Sequence, residues 1–249
     1  MKQDFLIITG ANGQMGSYLA QYPGLKEYPK LLLYYNRSDR LQDIHDNDHL
    51  LKISCDLMDA KAISRTLQTA KQHFGGNATR LIHAAAIRSS DSKSVAECDV
   101  EFFSHTIDVN LIGSLNIIKA VLPEMKAKSF GRIALFTSVV TQTGLAYGAA
   151  YAAAKTAMVN LAKSIAVENA ADNILINCLS PGPIECDLES DYQGEYLKFR
   201  QNYFEAYKQN TPTHKLISKA ELALLCEVLM SDEIDNLTGQ EIIINGGSL

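Results

Sequence analysis

Near the start of the chain a short apolar run, Phe5-Leu-Ile-Ile-Thr9, breaks directly into Gly10-Ala-Asn-Gly13-Gln-Met-Gly16 and then into the helical pattern Ser17-Tyr-Leu-Ala-Gln-Tyr22. A strand, a glycine turn and a helix that follow one another without a gap constrain the fold more than any other feature of the sequence. Glycines permit a tight turn and the close approach of a pyrophosphate, whose charge is met by exposed N–H groups and the positive end of the helix. A tight turn with nothing bound uses the same glycines, and the triple alone leaves the two readings near even. Its place after the first strand favours the nucleotide.

The rest of the chain continues the alternation. Strands are predicted at Lys30–Tyr35, Leu51–Ser54, Arg80–Ala86, Arg132–Thr137, Ile174–Leu179 and Glu241–Asn245, and helices at Ala60–Phe74, Val100–Lys126, Tyr151–Ala166 and Lys219–Met230. Alternation of this kind predicts an α/β domain: a doubly wound, Rossmann-like parallel sheet of about seven strands with helices on both faces and ligands at the carboxyl ends of the strands. The 249 residues suit one such domain, 1–249. Ser180-Pro-Gly-Pro183 reads as a turn that continues neither helix nor sheet. The segment 185–214 places Tyr192, Tyr196, Phe199, Tyr203, Phe204 and Tyr207 at near-helical spacing. Such a stripe is more often packing, and a lid over a pocket is the sharper alternative.

Charge excludes some partners. With a net charge of -5 and interleaved acids and bases there is no basic stripe for a nucleic acid backbone. The N-terminus turns polar before its apolar run is long enough for a secretory signal, and no run approaches membrane-spanning length, which predicts a soluble, cytoplasmic protein with no membrane partner. Five cysteines, an odd number without C-x-x-C, suit reduced thiols better than disulfides or a zinc site, and no metal is expected.

Chemistry concentrates between Ser138 and Lys155. Ser138 lies just past a predicted strand, while Tyr151 and Lys155 stand four apart on one helix face, so an ammonium can lie close to a phenol. A phenol of ordinary pKa about 10 needs a neighbouring cation to act as an acid–base group near neutrality. A serine opposite it can bond a carbonyl or alcohol oxygen. An isolated Y-x-x-x-K is common on helix surfaces; the surrounding glycine loop and strand order give this one weight. Asn110 is a polar residue inside an apolar helical stretch, where satisfying a local backbone group is the alternative to a role in the site. After the second strand, Asn36-Arg37-Ser38 offers a cation and no carboxylate, which favours the 2′-phosphate of NADP over the free ribose of NAD. Asp56 is suited to accept from an adenine amine or, about equally, to cap a helix from Met58 onward.

Taken together and in order, Thr9-Gly10…Gly16, Asp56, Asn110, Ser138, Tyr151, Lys155, Pro181-Gly182 and Thr238-Gly-Gln…Asn245-Gly-Gly247 resemble the single-domain short-chain dehydrogenase/reductases over essentially the whole chain. Within that family the motifs are most similar to those of 3-oxoacyl-[acyl-carrier-protein] reductases. The resemblance implies that Tyr151 is the acid–base residue, that Lys155 lowers its pKa and binds the nicotinamide ribose, that Ser138 orients the substrate oxygen, and that Asn110 supports a water relaying protons to Lys155. It also implies a cofactor site of Gly10, Asn12, Gly13, Gln14, Met15, Gly16, Arg37, Asp56, Leu57, Ala84, Ala85, Ala86, Tyr151, Lys155, Pro181, Gly182 and Ile184. The expected reaction is NADP(H)-dependent hydride transfer with a carbonyl or secondary alcohol, acyl-carrier-protein-bound substrates included, in a homo-oligomer, tetramer or dimer. A nucleotide-sugar epimerase or dehydratase and a catalytically silent nucleotide sensor are the alternatives.

Three departures stand out. Gln14 occupies the place of the usual second glycine. His83-Ala-Ala-Ala86 replaces Asn-Asn-Ala-Gly, which removes a side-chain amide. Cys186 stands where a threonine commonly bonds the nicotinamide carboxamide, and a thiol is a weaker partner.

Overall fold

The computed structural model describes residues 3–35, 39–88 and 93–248. Seven parallel strands form one sheet: β1 Gln3–Thr9, β2 Lys30–Tyr34, β3 Leu50–Ser54, β4 Gly75–His83, β5 Gly131–Phe136, β6 Ile174–Pro181 and β7 Glu241–Ile244, in the spatial order β3-β2-β1-β4-β5-β6-β7. Both faces are covered, which is why the central strands read as continuous apolar runs rather than alternating ones. In β1, Phe5 and Ile7 pack into one core and Leu6 and Ile8 into the other, all four fully buried. The first core meets helices α2 (Ala60–Phe74), α4 (Gly113–Lys128) and α6 (Ala149–Asn169); the second meets α1 (Gln14–Gln21) and α8 (Lys219–Met230). The expected doubly wound fold is thus observed.

Two helices end where capping chemistry dictates. Asp59 caps α2 by accepting from the backbone N–H groups of Lys61 and Ala62, and Gly75 closes it in the left-handed region at φ 75°. Ser218 caps α8 by accepting from Glu221 N at 3.1 Å.

Three sequence expectations change. The helix predicted over Val100–Lys126 is α3 (Val100–Ile107), a π-helical turn at Asp108–Ile112 and then α4. The turn is defined by the N–H of Gly113, which donates to the carbonyl of Asp108. This continuous run, Val100–Lys128, is also long and apolar enough by composition to cross a membrane. The expectation that no run approaches membrane-spanning length is thereby corrected, because scattered polar residues are tolerated in such a window. Here Ile117, Ile118, Val121 and Met125 of α4 pack into the sheet's core. Finally, β6 continues through Pro181 instead of stopping at Leu179. Cys178 N donates to Gln240 O and Gly182 N to Ile244 O, so even-numbered N–H groups face β7. Pro181 faces the other way, beyond the end of β5 at Phe136, and its missing donor costs no ladder bond.

Candidate active site

Parallel strands bring their carboxyl ends to one edge, and there a cleft of about 630 Å³ opens, lined by Gly10, Ala84, Phe136 and Pro181 just at or past four strand ends. At one end lies the glycine loop. Gly10 has φ 63°, and a Cβ on it would stand 2.7 Å from the Ala85 backbone; one on Gly16 would stand 2.2 Å from the Gly10 carbonyl oxygen. The small residues at 84–86 and the glycines therefore require one another. Gly13 is the N-cap of α1 and supplies no side-chain cap, so the helix start is open toward the cleft. Gly16→Ala should push that clash into backbone, lowering Tm in a melting experiment by the equivalent of about 1–3 kcal/mol and weakening dinucleotide binding; parental values for both would refute this account of the loop.

Gln14, the departure in the glycine loop, has a tertiary use. Its amide donates to Asp187 O at 2.5 Å and Asp191 Oδ2 at 2.9 Å, and its oxygen accepts from Asp187 N at 2.8 Å. Arg40 reinforces the same junction, ion-pairing with Asp191 at 2.7 Å and bonding Ser190 Oγ at 2.6 Å. Asn12 fixes Arg40 in turn, accepting from its backbone N–H at 2.8 Å and donating to Asp39 Oδ1 at 3.0 Å. The segment after β6 is thereby tied across the start of α1.

The chemical end of the cleft is built from β5, α5 (Val140–Thr143) and α6. Ser138 follows β5 and lines the cleft with Tyr151, near enough to help lower the phenol's pKa. Lys155, 2 % exposed, donates from Nζ to Phe136 O at 2.7 Å and lies 5.7 Å from the Tyr151 ring centroid. Burial pushes Lys155 down to about 8, Arg88 adds to the shift, and Cys178 opposes it. Burial holds the Tyr151 phenol above its ordinary range; Arg88, the nearby Ser138 hydroxyl and Arg200 pull it back. The charges that lower it most are two arginines that sequence reasoning passed over, rather than the expected Lys155. Tyr147 also lines the cleft, in the left-handed region at φ 57°, a strained conformation for a tyrosine.

His83 supplies the support that the absent amide was expected to leave missing. It is 1 % exposed and bridges Thr9 Oγ1 and Ser114 Oγ, each at 2.8 Å. Ser114 donates to Asn110 O at 2.5 Å, and Thr9 Oγ1 accepts from Ala85 N at 3.3 Å. One set of directions satisfies every group: Ala85 N–H to Thr9, Thr9 O–H to Nδ1, Nε2–H to Ser114, Ser114 O–H to the Asn110 carbonyl. That set requires a neutral imidazole, and burial with the nearby Lys155 charge pushes His83 down to about 3.

Of the residues expected at the site, Gly10, Gly13, Gln14, Met15, Gly16, Ala84, Ala86, Ser138, Tyr151, Lys155, Pro181, Gly182 and Ile184 line the cleft, as does Cys186. Asn12, Asp56, Leu57, Ala85 and Asn110 do not. Asp56 accepts from Met58 N at 2.8 Å, three residues before the true cap of α2, and the Leu57 carbonyl is taken by Asn116 at 3.0 Å. Asn110 is fully buried and spends its side chain on backbone, accepting from Ile87 N at 3.1 Å and donating to Ile87 O and Thr106 O, each at 2.9 Å. It clamps the loop after β4. Asn36, Arg37 and Ser38 lie outside the described residues.

The aromatic stripe is more than packing. α7 (Gly194–Asn210) anchors through Tyr207, whose hydroxyl donates to Asn245 O at 2.6 Å and fills the space a Cβ on Gly182 would need. Tyr192, Tyr196, Phe199, Tyr203 and Phe204 line the cleft, with Arg200 among them.

Known proteins can now be set beside this geometry. A family model described as enoyl-(acyl carrier protein) reductase matches residues 30–248. The chain belongs to the short-chain dehydrogenase/reductase family. Oxidoreductase UcpA of Salmonella typhimurium is 29% identical over 97% of this chain and 93% of its own length. Oxidoreductase UcpA of Escherichia coli is 31% identical over 79% of this chain and 74% of its own length. Dehydrogenase/reductase SDR family member 6 of Danio rerio is 32% identical over 62% and 63% of the two chains. As a short-chain dehydrogenase/reductase, the protein is an NAD(P)-dependent oxidoreductase. The glycine cradle, which any Cβ would fill, and the uncapped start of α1 fit the dinucleotide such enzymes use.

Proposed function

We propose that the protein is an NADP(H)-dependent enzyme that interconverts a carbonyl and a secondary alcohol, with Tyr151 as its acid–base group. The observation that carries this reading is the meeting of Ser138, Tyr151 and buried Lys155 in the same cleft as the open start of α1. Gly10, Gly13 and Gly16 hold the dinucleotide's phosphates, and Lys155 and the strand end at Pro181-Gly182 hold its nicotinamide half. The bound nicotinamide supplies or accepts the hydride. In reduction, the substrate oxygen accepts hydrogen bonds from Ser138 and Tyr151, and the phenol's proton passes to that oxygen as the carbon gains its hydrogen. In oxidation, Tyr151 takes the proton back. Asn110, through the loop it clamps at Ile87, positions the wall of the cleft rather than touching the reacting atoms.

Arg37 supports NADP over NAD, since no acid stands at 36–38 and Asp39 is bonded to Asn12. Titration with NADPH and NADH, followed by absorbance with a panel of ketones, tests the reading. Arg37→Ala should weaken NADPH binding about ten- to a hundredfold and leave NADH binding as it was; an unchanged ratio of the two affinities would remove the case for NADP. A second reading, reduction of a 3-oxoacyl group on acyl carrier protein, rests on the motif resemblance; the matching family model's description shares the carrier protein but names an enoyl group.

A further inference from the structure

We propose that the substrate carries a carboxylate, bound between Arg88 and Arg200 while its carbonyl lies at Ser138 and Tyr151; this rests on the carbonyl–alcohol reading above. Arg88 follows β4 and is exposed at the cleft, whereas Arg200 projects from α7, 112 positions later in the chain. Both line the same cleft as the catalytic pair, and both act on the Tyr151 phenol as neighbouring positive charges. They flank the Tyr192 ring, with guanidinium carbons 5.9 and 5.7 Å from its centroid.

Among the described residues neither arginine is matched by an acid. Neither forms an ion pair among them, and the side-chain hydrogen bond Arg88 makes is to the Tyr192 hydroxyl. Arg200 Nε is buried without a hydrogen-bond partner. The acids of the cleft lie elsewhere or are engaged: Glu185 is exposed, and Asp191 is bonded by Arg40 and Gln14. A protein of net charge -5 therefore gathers Arg88, Arg200, Lys155 and Lys219 around one cleft.

Two like charges facing a cavity, one with an unmet buried donor, are an arrangement that an anion completes. The guanidinium fork matches the two oxygens of a carboxylate. Phe199, Tyr203 and Phe204 give an apolar wall for the carbon chain, and Arg200 lies 5.4 and 5.0 Å from the Tyr203 and Phe204 ring centroids, held in place by them. The substrate class is thus an oxo acid or the matching hydroxy acid.

The test compares kcat/KM for 2-, 3- and 4-oxo acids of short chain with their methyl esters and with dihydroxyacetone phosphate, alongside calorimetric titration of succinate into the enzyme saturated with NADP. One oxo acid should exceed its own ester on the order of 10²-fold. In Arg200→Gln that ratio should fall at least tenfold and succinate binding should be lost, with partial recovery in Arg200→Lys and NADPH affinity as in the parent. Equal use of acid and ester, preference for the phosphorylated ketone, or parental succinate binding in Arg200→Gln would overturn the proposal. Succinate bound through Arg200 with no hydride transfer on any compound would support the carboxylate site and overturn the proposed reaction instead.

Discussion

Tyr151→Phe should lower turnover by about 10²–10⁴-fold, the usual contribution of a placed acid–base group, while dinucleotide affinity and Tm stay near the parent. The change removes one hydroxyl from a helix held to the sheet by other residues: Ala154, Met158, Ala162 and Ile165 of α6 are buried, and their packing is untouched. The direction of the phenol's shift also sets the pH dependence. Burial keeps it protonated through neutral pH, so reduction, which needs the proton donor, should proceed there. Oxidation, which needs the ionised form, should rise as the solution becomes alkaline. Because Arg88 is the largest influence lowering that pKa, Arg88→Gln should move the oxidation profile to higher pH. Full turnover in Tyr151→Phe would remove the phenol from the mechanism.

The second large effect concerns acid stability through His83. Its folded-state value of about 3 lies below the 6.5 of a free imidazole, so the folded protein holds the neutral form and the unfolded chain binds the extra proton between those values. Stability from this group is complete above 6.5 and is lost as pH falls from there toward 3. At 1.36 kcal/mol per pH unit the loss is on the order of several kcal/mol, a large share of a domain's usual margin. Urea unfolding across that range should show the decline in the parent and a flatter profile in His83→Asn, which has no proton to gain. Equal slopes for the two would show that the Thr9–His83–Ser114 chain does not control this transition. Lys155 contributes the same sign at higher pH: its folded value of about 8 lies below the ordinary 10.5, so stability rises as pH increases across that window.

Local signals in the sequence were enough for the elements and their order. The apolar runs of the central strands and the helical patterns of α2 and α8 act over a few residues, although the cap of α2 is Asp59 and not the Asp56 that the sequence offered. The glycine loop and Ser138, Tyr151 and Lys155 were legible for a related reason. Their chemistry depends on short spacings and on strand ends that any parallel sheet brings together. What only the tertiary structure decided lies in contacts between distant segments. Gln14 meets Asp187 across 173 positions, Arg88 meets Tyr192 across 104, and His83 is flanked by Thr9 and Ser114 from two other elements. Each of these residues has an ordinary local reading: a poor substitute for glycine, a surface arginine, a missing amide. Their roles arise from desolvation and from partners that no spacing rule specifies. A charge, an imidazole or a carboxamide acquires its pKa and its hydrogen bonds only when packing excludes water and brings the second segment to it.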